Sequence, residues 1–149
     1  MEAIQIKISR TDASKDLPLP QYMTEGAAGM DLIAAVENPM ILEPNTIKLV
    51  PTGLIMAIPL GYEGQIRPRS GLALKHGIGL INSPGTIDAD FRGEIQIIMI
   101  NLGKEPFIIE RGDRIAQMVF NKVAKAQFIL VDELDTTSRD KGGFGHTGV

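Results

Sequence analysis

The sequence predicts an all-β domain, a barrel or sandwich of short strands with one short helix. Three observations lead there. Apolar residues recur in short runs that alternate with polar ones rather than in helical stripes. Glycine (16) and proline (9) are frequent enough to break the chain every few residues. Turn signals separate about ten strand-like segments at the close spacing of all-β folds.

Taken in order, Ile4, Ile6 and Ile8 alternate with Gln5 and Lys7, the period of a half-buried strand. The LPLP segment at 17–20 interrupts it with an extended loop. Further strands are expected at 34–36, 47–50, 54–58, 65–67, 78–81, 94–101, 107–110, 114–120 and 127–131. Between them lie turn signals at 43–45, 51–53, 59–61, 83–85 and 111–113. The one helical candidate spans 71–76, where Leu72, Ala73, Leu74 and Lys75 are good helix formers. With aromatics at 5% and no Trp, the core must rest on Ile, Leu, Val and Met.

Residues 1–134 therefore read as one domain and 135–149 as a separate tail. In the tail the only large apolar side chains are Phe144 and Val149, and four of the last eight residues are glycine. Such a segment cannot bury enough surface to offset its ordering entropy, so alone it should be flexible. The GGFGHTG run at 142–148 sets an aromatic among glycines beside an imidazole and a hydroxyl. That composition suits a flap closing on a ligand, as well as a frayed terminus.

Composition narrows the function classes. No cysteine means no disulfide framework, thiol nucleophile or Cys-based zinc site. A net charge of −3 argues against broad nucleic-acid binding, which needs a basic face. No apolar run is long enough for a membrane span or signal peptide, so a cytoplasmic location is expected. A small polyphosphate ligand stays open, provided Arg, Lys, backbone N–H groups or a divalent cation are gathered locally.

Arg69, Ser70 and Gly71 open the helical candidate, where N–H groups, a hydroxyl and a cation make an anion site. The spacing is neither a P-loop nor a dinucleotide fingerprint. Asp88 and Asp90 straddle Ala89 before the 94–101 strand; on extended backbone they would face opposite sides and could not act as a carboxylate pair. Gln117 lies mid-strand, where an amide is costly unless hydrogen-bonded or exposed. Two histidines, His76 and His146, and scattered carboxylates give no metal-ligand spacing.

In order, these pieces are AAGMDL at 27–32, PRSG at 68–71, Asn82 with GTIDADFRGE at 85–94, RGDRIAQ at 111–117, and Arg139 with GGFGHTG at 142–148. The series resembles the five-motif pattern of trimeric dUTPases, from residue 27 to the C-terminus. The resemblance implies a jelly-roll-like β-barrel and a homotrimer with sites shared between subunits. It implies hydrolysis of dUTP to dUMP and pyrophosphate, limiting uracil incorporation into DNA and supplying dUMP for dTMP synthesis. Mg²⁺ would be held by substrate phosphates and water, with no direct protein ligand.

Carried over by position, Asp88 holds the attacking water; an ordinary aspartate is a feeble base towards bulk water, so orientation is its main contribution. Arg69, Ser70, Gly71 and Gln117 hold the triphosphate with Arg139, His146 and Thr147 of the tail, and Asp31 supports the phosphate and metal region indirectly. Asn82, Thr86, Ile87 and the backbone up to Asp88 read uracil, Met99 walls that pocket, and Phe144 stacks on the base. Phe91 packs under the deoxyribose. The commoner family pattern has Tyr where Phe91 stands, which keeps the ring and removes a hydroxyl; Met30 also replaces a frequent Tyr. The nearest alternative, a dCTP deaminase of similar fold, needs an acid/base glutamate in a different motif context. A catalytically silent dUTPase-like binding module predicts loss of Asp88, Arg69 or the tail, and all are present.

Overall fold

The computed structural model describes residues 3–144. Among them the strands are β1 (Lys7–Arg10), β2 (Met30–Ile33), β3 (Met40–Leu42), β4 (Ile47–Ala57), β5 (Tyr62–Arg67), β6 (Ile78–Leu80), β7 (Gly85–Ile87), β8 (Ile95–Asn101), β9 (Phe107–Ile109) and β10 (Arg114–Lys122). A 3-10 turn (Asp12–Ser14) and one helix, α1 (Ser70–His76), complete the regular structure. The strands form a sheet ordered β1-β4-β8-β6, a second ordered β2-β10-β5-β7 and a small β3-β9 pair, with every pairing antiparallel. This is the expected all-β, jelly-roll-like barrel.

Period-2 patterning builds the core. Along β8, Ile95, Ile97, Met99 and Asn101 are buried while Gln96, Ile98 and Ile100 face outward. They join Val50, Leu54 and Met56 of β4 and, from the other sheet, Leu32, Ile66 and Met118 in one apolar cluster. No aromatic ring is among its fully buried members, as the composition required.

Three expectations need correction. The strand placed at 34–36 lies earlier, at Met30–Ile33; Ala34, Ala35 and Val36 are buried but leave the ladder, and Ala34 instead exchanges hydrogen bonds with the turn at 112–113. The turn expected at 51–53 is a bulge inside one continuous β4, where the register shifts between Pro51 and Leu54. Gly53 sits at φ +67° there, and a Cβ would run into the Ser14 side chain, whose hydroxyl donates to the Gly53 carbonyl at 2.9 Å. The strand expected at 127–131 is absent: Phe128, Ile129 and Leu130 are 94%, 82% and 99% exposed, with no ladder partner. Their β-forming composition marks a segment with no strand partner among the described residues. Short β3 and β7 lie outside the expected strands, β7 starting at the last residue of the 83–85 turn signal.

The N-terminal turn is tied to the β9–β10 turn by Arg111, which donates to both Asp16 carboxylate oxygens (3.2 and 2.5 Å) and to the carbonyls of Ala13 and Val36. Hydrogen bonding from Arg111 holds the Asp16 carboxyl below the usual aspartate range. A depressed folded pKa contributes stability that is complete above the unfolded value of about 3.9 and is lost as pH falls through the folded one. Asp16→Asn should therefore lower the melting temperature slightly at pH 7 and flatten its decline on the acid side of pH 4. Thermal unfolding of both proteins across pH 2.5–7 checks this; parallel pH curves would refute it.

Candidate functional site

Two groups of predicted site residues lie on the β2-β10-β5-β7 sheet. The first is built by register. Gln117 of β10 pairs with Asp31 of β2 on one side and Arg67 of β5 on the other. Just past β5, Arg69 turns back over the sheet, its Nε 3.1 Å from Asp31 Oδ1, while its Nη1 donates to the Arg114 carbonyl at 2.8 Å. Arg114 Nη1 reaches the other Asp31 oxygen at 3.3 Å. The Asp31 side chain is 18% exposed and the arginines 28% and 50%. One carboxylate thus orients two guanidinium groups and leaves the cluster with a net positive charge, suited to an anion.

Gln117 Nε2 donates to the Pro68 carbonyl at 3.0 Å, holding the loop that carries Arg69. Gly29 lets β2 approach: a Cβ there would stand 3.2 Å from Gln117 Oε1. Ser70 and Gly71 begin α1, both exposed, and a Cβ on Gly71 would meet nothing of this chain. Packing therefore does not require glycine at 71, which leaves room for something outside the chain to approach the backbone.

The second group is the hairpin from Asn82 through β7 to Phe91. Gly85 makes room for the Asn82 amide, whose Nδ2 would be 3.1 Å from a Cβ. Asn82, Gly85, Thr86 and Ile87 line a narrow cleft of about 30 Å³ with Gln96 and Ile98. Met99 is fully buried in the core, paired with Leu80 of β6, and is not among the residues lining this cleft. The turn beyond β7 closes with a Phe91 N–H to Asp88 carbonyl bond at 3.2 Å. Extended-strand alternation does not apply to such a turn. Asp88 and Asp90, expected on opposite faces, both line one open cleft of about 590 Å³ with Glu63, Arg92 and Lys125. Phe91 is 41% exposed and its ring lies over Gly93, where a Cβ would be 2.6 Å from Cζ.

Three supporting residues were missed, although all stand inside the quoted motifs. Arg114 shares Asp31 with Arg69. Arg92 Nη1 donates to the carbonyls of Ala89 and Phe91, both at 2.7 Å, and so fixes the Asp88 turn. Glu94 accepts the Gly53 N–H at 2.8 Å, pinning the end of the hairpin to the β4 bulge. Their signal was charge beside turn residues, which sequence alone does not separate from ordinary solvated charge.

Among its described residues, 135–144, the tail brings nothing to either group within one chain. Past β10, residues 123–144 are irregular and mostly exposed. Arg139 Nε donates to its own neighbour, the Gly142 carbonyl, and Phe144 is fully exposed. His146 and Thr147 lie outside the described residues. No hydrogen bond or ion pair among the described residues joins the Asp31 cluster to the Asp88 hairpin. Nor does any group of three or more His, Cys, Asp or Glu there form a metal cage. Asp31, the carboxylate nearest the phosphate candidates, has each oxygen engaged by an arginine. No helix among the described residues is long and apolar enough to cross a membrane.

A jelly-roll-like barrel with an Arg-Asp-Arg cluster and a cleft-lining hairpin on one sheet defines the class. The comparisons then narrow it. The dUTPase family matches residues 15–148. A deoxyuridine 5'-triphosphate nucleotidohydrolase of Thermoanaerobacter sp. is 58% identical over 147 residues, covering 99% of both chains. One from Syntrophotalea carbinolica is 55% identical over 148 residues, again covering 99% of each. Among solved structures, the Staphylococcus bacteriophage 80alpha dUTPase with dUPNHPP superposes with a TM-score of 0.88 at 24% identity, covering 99% of this chain and all of that one. A mutant dUTPase from S. aureus phage phi11, described as coordinating a structural Mg(II) ion, gives 0.77 at 22% identity over 87% of this chain and 98% of that one. The chain belongs to the dUTPase family.

Proposed function

We propose that this protein hydrolyses dUTP to dUMP and pyrophosphate. The observation that carries the reading is the Asp31–Arg69–Arg114 cluster beside Gln117 and an open Gly71, in a chain 58% identical over nearly its whole length to a named dUTP nucleotidohydrolase. The triphosphate lies against Arg69, Ser70, Gly71 and Gln117. An amide nitrogen carries two hydrogens, so Gln117 can hold the Pro68 carbonyl and still donate to an anion. Asn82 and the β7 backbone read the uracil edge, with fixed donor and acceptor polarity that leaves buried groups unpaired against cytosine. That mismatch costs roughly 1–3 kcal/mol per group.

Asp88 orients a water towards the α-phosphorus and takes up its proton as attack proceeds. The new P–O bond forms as the bond to the bridging oxygen breaks, and pyrophosphate leaves. With no cage of three or more His, Cys, Asp or Glu among the described residues, Mg²⁺ would be held by the phosphates and water, the usual arrangement for this ion in phosphoryl chemistry. When bound it neutralises phosphate charge and holds the chain in line for attack.

The working unit is a homotrimer whose sites combine the phosphate cluster of one chain, the hairpin of a second and the tail of a third. Two features support this: among the described residues no hydrogen bond or ion pair joins cluster and hairpin, and Phe128, Ile129, Leu130 and Leu134 of the arm are exposed. Each such side chain is worth about 1.5–3 kcal/mol when buried, a strong drive to cover them with another copy. Pyrophosphate release should be seen with dUTP and be at least about 100-fold slower with dTTP, dCTP and UTP, the scale expected when unpaired polar groups and steric overlap act together. Ammonia release from dCTP, or equal rates with all four, would overturn the reading.

A further inference from the structure

We infer that Asn101, on the far side of α1 from the phosphate cluster, is a positioning residue for the Arg69–Gly71 turn, acting through a backbone latch between Gly103 and the C-terminal end of α1. The inference rests on the phosphate-binding reading above. It concerns what holds that turn in place.

α1 has only seven residues and none of them is buried. A helix that short does not persist on its own strength, so its placement comes from its attachments. At its start these are the Arg69 and Gln117 bonds already described. At its end Gly77 adopts the left-handed conformation (φ 67°) and donates its N–H to the Ala73 carbonyl at 3.0 Å. There the chain touches the β8–β9 turn backbone to backbone. A Cβ on Gly77 would lie 2.6 Å from the Gly103 nitrogen, and one on Gly103 would collide with the His76 carbonyl oxygen. Leu102 N–H donates to the Gly77 carbonyl at 2.9 Å, and the His76 ring packs on Phe107 with centroids 5.2 Å apart.

Asn101 sets the shape of that turn. It is fully buried, a costly place for an amide unless every polar atom is paired. Its Nδ2 donates to the Leu42 carbonyl at 2.9 Å and the Glu105 carbonyl at 2.8 Å, while Oδ1 accepts the Gly103 N–H at 2.8 Å. Its backbone N–H and carbonyl pair with Thr46 and Asn45. One side chain thus holds β3, both ends of the β8–β9 turn and, through Gly103, the end of α1. Moving the turn by a methyl group moves the helix, and with it the residues that lead it.

The test is Gly103→Ala, which keeps the Asn101 amide and pushes on the His76 carbonyl, together with Asn101→Asp, which keeps the shape and turns both donations against carbonyl oxygens. Binding of a non-hydrolysable imido analogue of dUTP and of dUMP is measured by calorimetry on the full chain, alongside thermal unfolding. Gly103→Ala should weaken the triphosphate analogue on the order of 10-fold or more, the scale of losing one hydrogen bond to a charged ligand group at the displaced turn. Binding of dUMP, which rests mainly on the hairpin, should change far less. Asn101→Asp should show the same selective loss wherever it folds; if it does not fold, Gly103→Ala decides. Equal losses for both ligands, or wild-type affinity for the analogue in Gly103→Ala, would overturn the inference. A wild-type protein that fails to bind the analogue would instead sink the proposed function itself.

Discussion

Asp88→Asn is expected to lower kcat for dUTP by on the order of 10²–10⁴-fold, the range for losing a positioned general base. KM should stay within about threefold, because an interaction made mainly in the transition state lowers kcat and kcat/KM together. The local structure predicts that little else changes. The Asp88 carboxylate is exposed, and the turn around it is closed by backbone and by Arg92, neither of which the substitution touches. Asparagine keeps the shape and can still hydrogen-bond a water, but it cannot accept the proton. Asp90 lines the same cleft and makes the informative control: Asp90→Asn should retain most turnover if position, rather than local negative charge, is what matters. Single-turnover pyrophosphate release separates chemistry from product release. Near-normal turnover in Asp88→Asn would remove the residue from the mechanism.

How far the sequence disclosed this site depends on which physical signal each residue carries. β8 was legible as a short Ile-rich apolar run between the breaks at Gly93 and Gly103, and α1 because good helix formers stand between a loop and Gly77. β4 was cut in two because Pro51-Thr-Gly53 has the chemistry of a turn; only the neighbouring strands, with Glu94 and Ser14 bonding Gly53, turn it into a bulge. Met99 was assigned to the base pocket from the motif pattern alone; that it is a core residue opposite Leu80 is known only once the β6–β8 register is fixed. Arg114 and Arg92 were passed over because a guanidinium gives no sign in sequence of which carbonyl or carboxylate it will meet. Asp31 and Gln117 look ordinary apart, 86 residues distant by number, and become neighbours only through β2–β10 pairing. Asp88 itself was read as more than a turn aspartate only through the five motifs taken together.

The arm was the hardest part to read, and it yields the second large prediction. Residues 127–131 have the composition of a strand, yet in one chain they lie exposed and unpaired, a poor state for Phe128, Ile129 and Leu130. Residues beyond 138 carry Arg139 and Phe144, which touch neither site group of their own chain. If the tail serves a neighbouring copy, deleting residues 139–149 should leave the barrel and its assembly intact, because no core residue lies among its described positions, 139–144. The enzyme should still be lost: kcat/KM for dUTP is expected to fall on the order of 10²-fold or more, as for other closures that complete a site. Ordering a flap of seven residues costs on the order of 7–14 kcal/mol at about 1–2 kcal/mol each, so stacking and charge-assisted contacts to a full triphosphate must offset it. The deletion should therefore weaken the imido-dUTP analogue much more than dUMP. Mixing two inactive proteins, the deletion variant and Asp88→Asn, gives a sharper test. Heterotrimers in which an intact tail from one chain covers an intact Asp88 from another should recover measurable pyrophosphate release. Activity that stays at the sum of the two parents after exchange of subunits, or full activity in the deletion alone, would refute a tail acting between chains.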